Sequence, residues 1–364
     1  MFQDIQIEKL NELRAKNEIT VIDVRSPSEY AESTIPGSIN IPFFNDEERA
    51  EIGTLYKQVS TQAAKERGLE IVSAKLPSFV KQFAEIQGNK AVFCWRGGMR
   101  SRTTATVLSL MGIHVQRLEG GYRTYRKWVV DTLQSMDFAP DVYVIHGNTG
   151  TGKTLILREL QEKGYPVVDL EGMAGHRGSI FGEIGLKSSN QKTFDALLVE
   201  SLIRYQDSPY ILLEAESKRI GKVVLPEFLV QKKELGRHIV LEAPVELRVK
   251  HILDDYRPWE YPAESLLAFS KIKSRIHTPI AQEIEFSMQQ GNYGAAVRLL
   301  LEYYYDPRYA HTTEAYGEAF HEEPVLAIGS VEQAVQLVEE RIQRDQEHVQ
   351  AAAEDAQEKK HQSV

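Results

Sequence analysis

The apolar run Val142-Tyr143-Val144-Ile145 leads, after one residue, into Gly147-Asn148-Thr149-Gly150-Thr151-Gly152-Lys153-Thr154, and this passage constrains the fold more than any other. The loop has the spacing G-x-x-x-x-G-K-[ST], and Leu155 to Gly164 behind it reads as a helix. A strand that turns through glycines straight into a helix aims the loop amides and the positive helix end at one point, where a phosphate fits. Gly147, Gly150 and Gly152 give the backbone its freedom. Lys153 can reach an outer phosphate, and the Thr154 hydroxyl can hold Mg²⁺, the one direct protein ligand to a metal that the sequence suggests.

A second passage of the same kind lies upstream. Ala91-Val92-Phe93-Cys94 reads as a buried strand, Trp95 to Arg100 as a loop and Ser101 to Met111 as a helix. Gly97 and Gly98 permit a tight nest of amides, while Arg96, Arg100 and Arg102 add positive charge able to hold an anionic group carried on sulfur. A lone cysteine after a strand is more often an inert core residue; glycines and arginines directly behind it make Cys94 the candidate nucleophile.

Around these loops, strand-like runs alternate with helical ones, which points to parallel sheets covered by helices. Ile19 to Val24, Val115 to Leu118, Pro166 to Asp169, Tyr210 to Leu213 and His238 to Leu241 read as strands. Residues 46–87, 192–206, 244–255 and 264–289 read as helices. The expected division is 1–134, 138–330, and an acidic helical tail over 331–364, with the linker near Pro140.

The chain has 364 residues and one cysteine, which excludes an internal disulfide and a multi-cysteine metal site. No apolar run reaches the roughly 18–20 residues that span a bilayer. The N-terminal segment lacks a basic region typical of a secretory signal, so a cytoplasmic protein without membrane attachment is expected. The net charge of −9 argues against indiscriminate nucleic-acid binding. Yet Ala91 to Trp128 holds seven basic residues against the single acid Glu119, which suits an anionic substrate at the cysteine loop.

Two further stretches are rich in polar groups and glycines. Asp169 to Gly182 contains Asp169, Glu171, His176 and Arg177, and Glu214 to Gly221 contains Glu214 and Glu216. These six are candidates for gripping a second substrate or the waters of a metal; capping, ion pairing or a plain surface loop is the structural alternative.

The residues of the first half resemble the rhodanese domain over about 1–130. The resemblance rests on Ile22 to Tyr30, Ile35 to Pro42, the Cys94 loop, and Leu118-Glu119-Gly120-Gly121-Tyr122-Arg123. Many rhodaneses read Cys-x-x-Gly-x-Arg, whereas Arg100 falls one place later. The longer loop is similar to that of dual-specificity phosphatases and implies an acceptor bulkier than thiosulfate. Together with Gly147 to Thr154, Asp169 to Gly182, Glu214 to Gly221 and Tyr304 to Tyr309, it resembles the tRNA 2-selenouridine synthase family. That resemblance implies a rhodanese-like domain followed by a P-loop NTPase-like α/β domain. It implies conversion of wobble 2-thiouridine in the tRNA anticodon to 2-selenouridine through an S-geranyl intermediate, with geranyl diphosphate and selenophosphate as co-substrates. It also implies a tRNA-binding face, for which Lys218, Arg219, Lys222, Lys232, Lys233 and Arg237 are candidates beside the 96–127 cluster. Trp259 and Tyr261 could stack on a base or simply pack a core. The rival readings are a tRNA sulfurtransferase with an ATPase domain, and a non-catalytic tRNA-binding sensor.

Overall fold

The computed structural model describes residues 2–313 and 324–361. The chain forms two compact units. One runs to Asp137 and takes in Asn190–Glu200 as well; the other holds Phe138–Ser189 and the chain from Ser201 onward.

The first unit is built on five parallel strands: β1 (Gln3–Ile5), β2 (Ile19–Asp23), β3 (Ile39–Asn40), β4 (Asn89–Phe93) and β5 (Gln116–Leu118), in the order β1-β5-β4-β2-β3. Parallel neighbours need crossovers, and the helices between strands supply them. Ile22, Val92, Phe79, Phe83 and Leu108 pack into one core cluster with Cys94. Beside that core lies a buried ion pair. Arg25 and Asp23 are 1% and 0% exposed, with the guanidinium Nη2 2.6 Å from the carboxylate. Arg25 also donates to the Ser33 carbonyl, and its guanidinium sits 4.4 Å from the centre of the Tyr122 ring. Further hydrogen bonds fix the pair in place: Thr34 donates to Asp23 at 2.9 Å, and Asn40 donates to the carbonyls of both residues.

The segment Asn190–Glu200 is the unexpected member of this unit, since it lies far downstream of the 1–134 expected for it. Polar contacts hold it there. Asn190 donates to the Glu32 carbonyl at 2.6 Å, and Arg126 pairs with Asp195 at 2.6 Å. Glu200 receives both Arg14 and the Tyr125 hydroxyl.

The second unit holds a four-stranded parallel sheet of β6 (Asp141–His146), β7 (Tyr210–Glu214), β10 (Arg237–Glu242) and β11 (Val325–Ala327), in the order β11-β10-β6-β7. A small antiparallel hairpin, β8 (Arg219–Ile220) and β9 (Val223–Val224), lies between β7 and β10 in the chain. Strand β6 is thus interior, and the loop after it emerges at the middle of the sheet edge. Three expectations change here. Pro166 to Asp169 makes only a single bridge, Val167 to Leu212, because Asp169 caps the short helix Leu170–Ala174. The helix expected over 264–289 is broken into Pro262–Ser270 and Thr278–Gln289, with Pro279 in the first turn of the second piece. The helix Val331–His361 is continuous with the fold and does not begin as a separate tail. Ala334, Val335, Val338 and Ile342 form a buried stripe at helical spacing against Leu160 and Leu241, hidden in sequence by the acidic composition.

Because removing one partner strands the other charge in the core, Asp23→Ala is expected to cost about 3–5 kcal/mol. Urea denaturation followed through the first unit checks this; a cost below about 1 kcal/mol would show the pair to be dispensable.

Candidate functional sites

Cys94 is the first residue beyond β4, 3% exposed, with Sγ 3.2 Å from Oγ of Ser101 in the first turn of helix Met99–Leu110. The loop is tied to its neighbours through its carbonyls. Tyr122 and Arg123 donate their backbone N–H to Cys94 and Trp95, and Arg117 donates to Gly97 at 2.8 Å. Gly97 has φ 62°, and a side chain at Gly121 would stand 2.2 Å from the Cys94 carbonyl oxygen. The loop thus requires glycine at both places. Trp95, Arg96 and Gly98 are exposed at its rim. Arg100, expected to charge the loop, forms a bidentate pair with Glu29 instead. Burial works against the Glu29 charge, but the Arg100 hydrogen bond and charge outweigh it and hold that carboxyl below its ordinary value.

In the second unit Gly147, Gly150 and Gly152 all have positive φ, and helix Lys153–Glu162 follows. Lys153 donates to the Gly147 carbonyl at 2.7 Å, so its ammonium lies across its own loop. Helix Val245–Tyr256 presses on the loop from outside. Arg248, 4% exposed, donates to the Thr149 carbonyl at 2.8 Å and pairs with Asp306 at 2.6 Å. His251 Nδ1 donates to the Gly150 carbonyl at 3.0 Å, and a side chain at Gly152 would stand 3.0 Å from its ring. Sequence reasoning missed Arg248, His251 and Asp306. The signal was weak: a charged residue and a histidine three apart on one helix, and an aspartate inside a noted tyrosine-rich segment. It also missed His146 at the end of β6, which burial and the neighbouring His238 push down to about 3.

Beneath the loop, Thr154 donates to Glu171 Oε2 at 2.8 Å, and the Glu171 backbone N–H donates to Glu214 Oε1 at 2.7 Å. Glu214 is 1% exposed and its Oε2 has no hydrogen-bond partner. Burial, then the nearby Asp169 and Glu171 charges, hold Glu214 well above its ordinary value. Burial and Glu216 push Glu171 up to about 8. The loop borders a cleft of about 860 Å³, which Arg158, Arg177, Glu171 and Glu216 also line. Asp169, His176 and Glu214 are not among its lining residues. Asp169 caps its helix by accepting from Gly172 N–H at 2.7 Å. The His176 ring is wedged beside Gly182 and Gly221, where a side chain would come within 2.8 and 2.6 Å. Arg177 pairs with Asp255 at 2.7 Å and lies over the Tyr256 ring.

Residues 140–345 match the tRNA 2-selenouridine synthase AAA domain, and 6–127 match the rhodanese-like domain. The chain belongs to the tRNA 2-selenouridine synthase family. It is 32% identical to the tRNA 2-selenouridine synthase of Bdellovibrio bacteriovorus over 70% of this chain and 68% of that one. To the tRNA 2-selenouridine synthase of Shewanella loihica it is 33% identical, over 80% and 86%. To that of Nitrosomonas europaea it is 34% identical, over 70% and 67%.

As a member of the tRNA 2-selenouridine synthase family, the chain was expected to show a basic face at Lys218 to Arg237. Most of those side chains have partners. Lys218 pairs with Glu227, Lys222 with Glu183, and Arg237 with Asp141 and Asp345. Lys232 donates to the Ala139 and Pro140 carbonyls. Lys233 is half-buried and donates to the Glu216 carbonyl, and desolvation holds its pKa down. Arg219 is exposed. Trp259 is 53% exposed, whereas Tyr261 packs against the second unit's helical core. No helix among the described residues is long and apolar enough to cross a membrane.

Two outcomes follow from this geometry. Gly121→Ala is expected to abolish the cysteine loop's conformation, read as lost protection of the Tyr122 and Arg123 amides in hydrogen exchange. Glu171 keeps a proton in the folded state between its ordinary 4.5 and about 8, while the unfolded chain has lost it. The folded state then binds more protons, so stability in EDTA falls as pH rises through that window. Glu171→Gln should flatten the slope of melting temperature against pH.

Proposed function

We propose that the chain is a tRNA-modifying transferase that converts wobble 2-thiouridine into 2-selenouridine through an S-geranyl intermediate, with geranyl diphosphate and then selenophosphate as co-substrates. The observation that supports this most is the presence, in one chain, of a glycine loop that can hold a diphosphate and a cysteine loop shaped for a second anion. The named relatives support the tRNA substrate.

In the first step the thiocarbonyl sulfur attacks C1 of the geranyl group, the C–O bond breaks, and diphosphate leaves with the electron pair. The base then loses its N3 proton. Loop amides, Lys153 and the helix end stabilise the charge gathering on the departing oxygens. The donor set fits Mg²⁺: Thr154 and Glu171 would hold it with phosphate oxygens and water, and it would neutralise the diphosphate. In the second step selenium adds to C2, the C–S bond breaks, geranylthiol leaves with a proton, and water cleaves the P–Se bond. Direct addition leaves the selenium oxidation state unchanged, whereas a perselenide on Cys94 would require an oxidant. The cysteine loop binds selenophosphate in this scheme, with Arg96 at its rim and Cys94 beside the reacting selenium.

Lys153→Ala should lower S-geranyl-tRNA formation by on the order of 100-fold or more. Cys94→Ala should let S-geranyl-tRNA accumulate while 2-selenouridine disappears, both read by mass spectrometry of digested tRNA. Normal selenouridine formation by the cysteine variant would refute its role. ATP hydrolysis without any response to geranyl diphosphate would favour the nucleotide-driven sulfurtransferase.

A further inference from the structure

The rim of the cysteine loop carries an aromatic ring that the binding of a small anion does not require. Trp95, the residue after Cys94, is 38% exposed, although its neighbours fix its position. Its carbonyl accepts from the Arg123 N–H at 3.0 Å, next to the Tyr122 N–H that holds Cys94. The Tyr122 ring lies 5.6 Å from the indole, centre to centre, with the two planes 38° apart. Tyr122 is itself fully buried, with the Arg25 guanidinium 4.4 Å from its centre. Arg25 and Lys192 each stand 5.9 Å from the indole centre. Lys192 belongs to the segment Asn190–Glu200 of the same unit and is held by Glu32 at 2.8 Å. The indole is thus anchored along part of its surface and open over the rest. A ring fixed in this way loses little conformational freedom when a flat partner stacks on it.

The charges beside the ring divide into two sets. Arg25, Arg100 and Arg117 are committed to Asp23, Glu29 and Asp4. Arg96 and Arg123, in contrast, are exposed and make no ion pair among the described residues. One follows Trp95 in the chain; the other is tied to it through the backbone. An exposed aromatic face with free guanidiniums beside it suits an unpaired nucleotide, ring against base and cation against phosphate.

We propose that Trp95 is the platform on which the wobble base stacks while it reacts beside Cys94, an assignment that rests on reading the cysteine loop as the site of the selenium step. At that stage the pyrimidine ring offers little to charges or hydrogen-bond acceptors. Once S-alkylated and without its N3 proton, it is neutral and has no ring N–H donor. Its π-face remains, and stacking uses that face. Stacking covers one side of the ring only, which leaves the other open to addition at C2. Arg123 neutralises a phosphate of a neighbouring nucleotide, and Arg96 stays with the selenophosphate.

Fluorine NMR of the full chain labelled with 5-fluorotryptophan tests this. The sequence holds three tryptophans, and Trp95→Phe identifies the relevant signal by its loss. The titrants are an anticodon stem-loop RNA with S-geranyl-2-thiouridine at the wobble position and the same RNA with an abasic wobble site. Binding of each is read separately by anisotropy of the labelled RNA. The Trp95 signal should move when the first RNA binds and stay in place when the second does. In steady-state assays, Trp95→Ala should lower kcat/KM for conversion of S-geranyl-tRNA into 2-selenouridine roughly 10- to 100-fold, and Trp95→Phe should recover most of the loss. Should Trp95→Phe not fold, Trp128→Phe and Trp259→Phe identify the remaining signal by elimination. Equal movement with both RNAs, binding without movement, or an unchanged kcat/KM in Trp95→Ala overturns the platform while tRNA recognition stands. If neither RNA binds, the tRNA reading is overturned with it.

Discussion

A parallel strand that ends in a tight glycine turn must hand its chain to a helix on the sheet's face, and the helix's first amides then point back over the strand end. Both candidate sites depend on this constraint. In the first unit it puts Cys94 between β4 and helix Met99–Leu110; in the second it puts Gly147 to Thr154 between β6 and helix Lys153–Glu162. Neither turn would close with side chains at Gly97 and Gly121 in the first unit or at Gly147, Gly150 and Gly152 in the second. Gly121 approaches the Cys94 carbonyl from the next strand–helix connection, and Gly150 and Gly152 are pressed by Arg248 and His251. Close backbone approach, more than any one charge, holds the loops in shape.

The charges around the loops follow two opposite rules. The arginines come with carboxylates: Arg25 with Asp23, Arg100 with Glu29, Arg248 with Asp306. Their positive charge is balanced before any ligand arrives, so the anion-binding character of each loop is left to its amides, to Arg96 at the rim of the cysteine loop and to Lys153 at the glycine loop. The carboxylates below Thr154 are arranged the other way. Glu171 and Glu214 lie near further acids and are held toward the protonated form by burial. A cation entering there would meet groups whose charge the protein alone suppresses.

The two loops were legible from sequence because each is a contiguous motif whose neighbours in the chain are its neighbours in space. What was not legible depends on long separations. Arg248 and Asp306 are far from the loop in sequence, and neither residue type at its position announces a contact with Thr149. Asp169 was read at a strand end, yet a carboxylate two residues before Glu171 serves equally well as a helix cap, and capping won. A run of basic residues between Lys218 and Arg237 does not show in sequence the Glu227, Glu183 or Asp345 that neutralise it from neighbouring elements. The stripe of Ala334, Val335, Val338 and Ile342 was obscured because average composition outweighed periodicity in the reading of that helix.

The helix segment Asn190–Glu200 carries a consequence for how such proteins are inherited. The chain visits the first unit twice, and the second visit delivers the carboxylates of Asp195 and Glu200 to Arg126, Arg14 and Tyr125. A gene cut at the boundary near residue 137 would encode a cysteine-loop unit lacking those acids. The two halves are thus not interchangeable modules joined end to end. Recombination that swapped one half without the other would have to restore these acids to the first unit, which favours inheritance of the pair together.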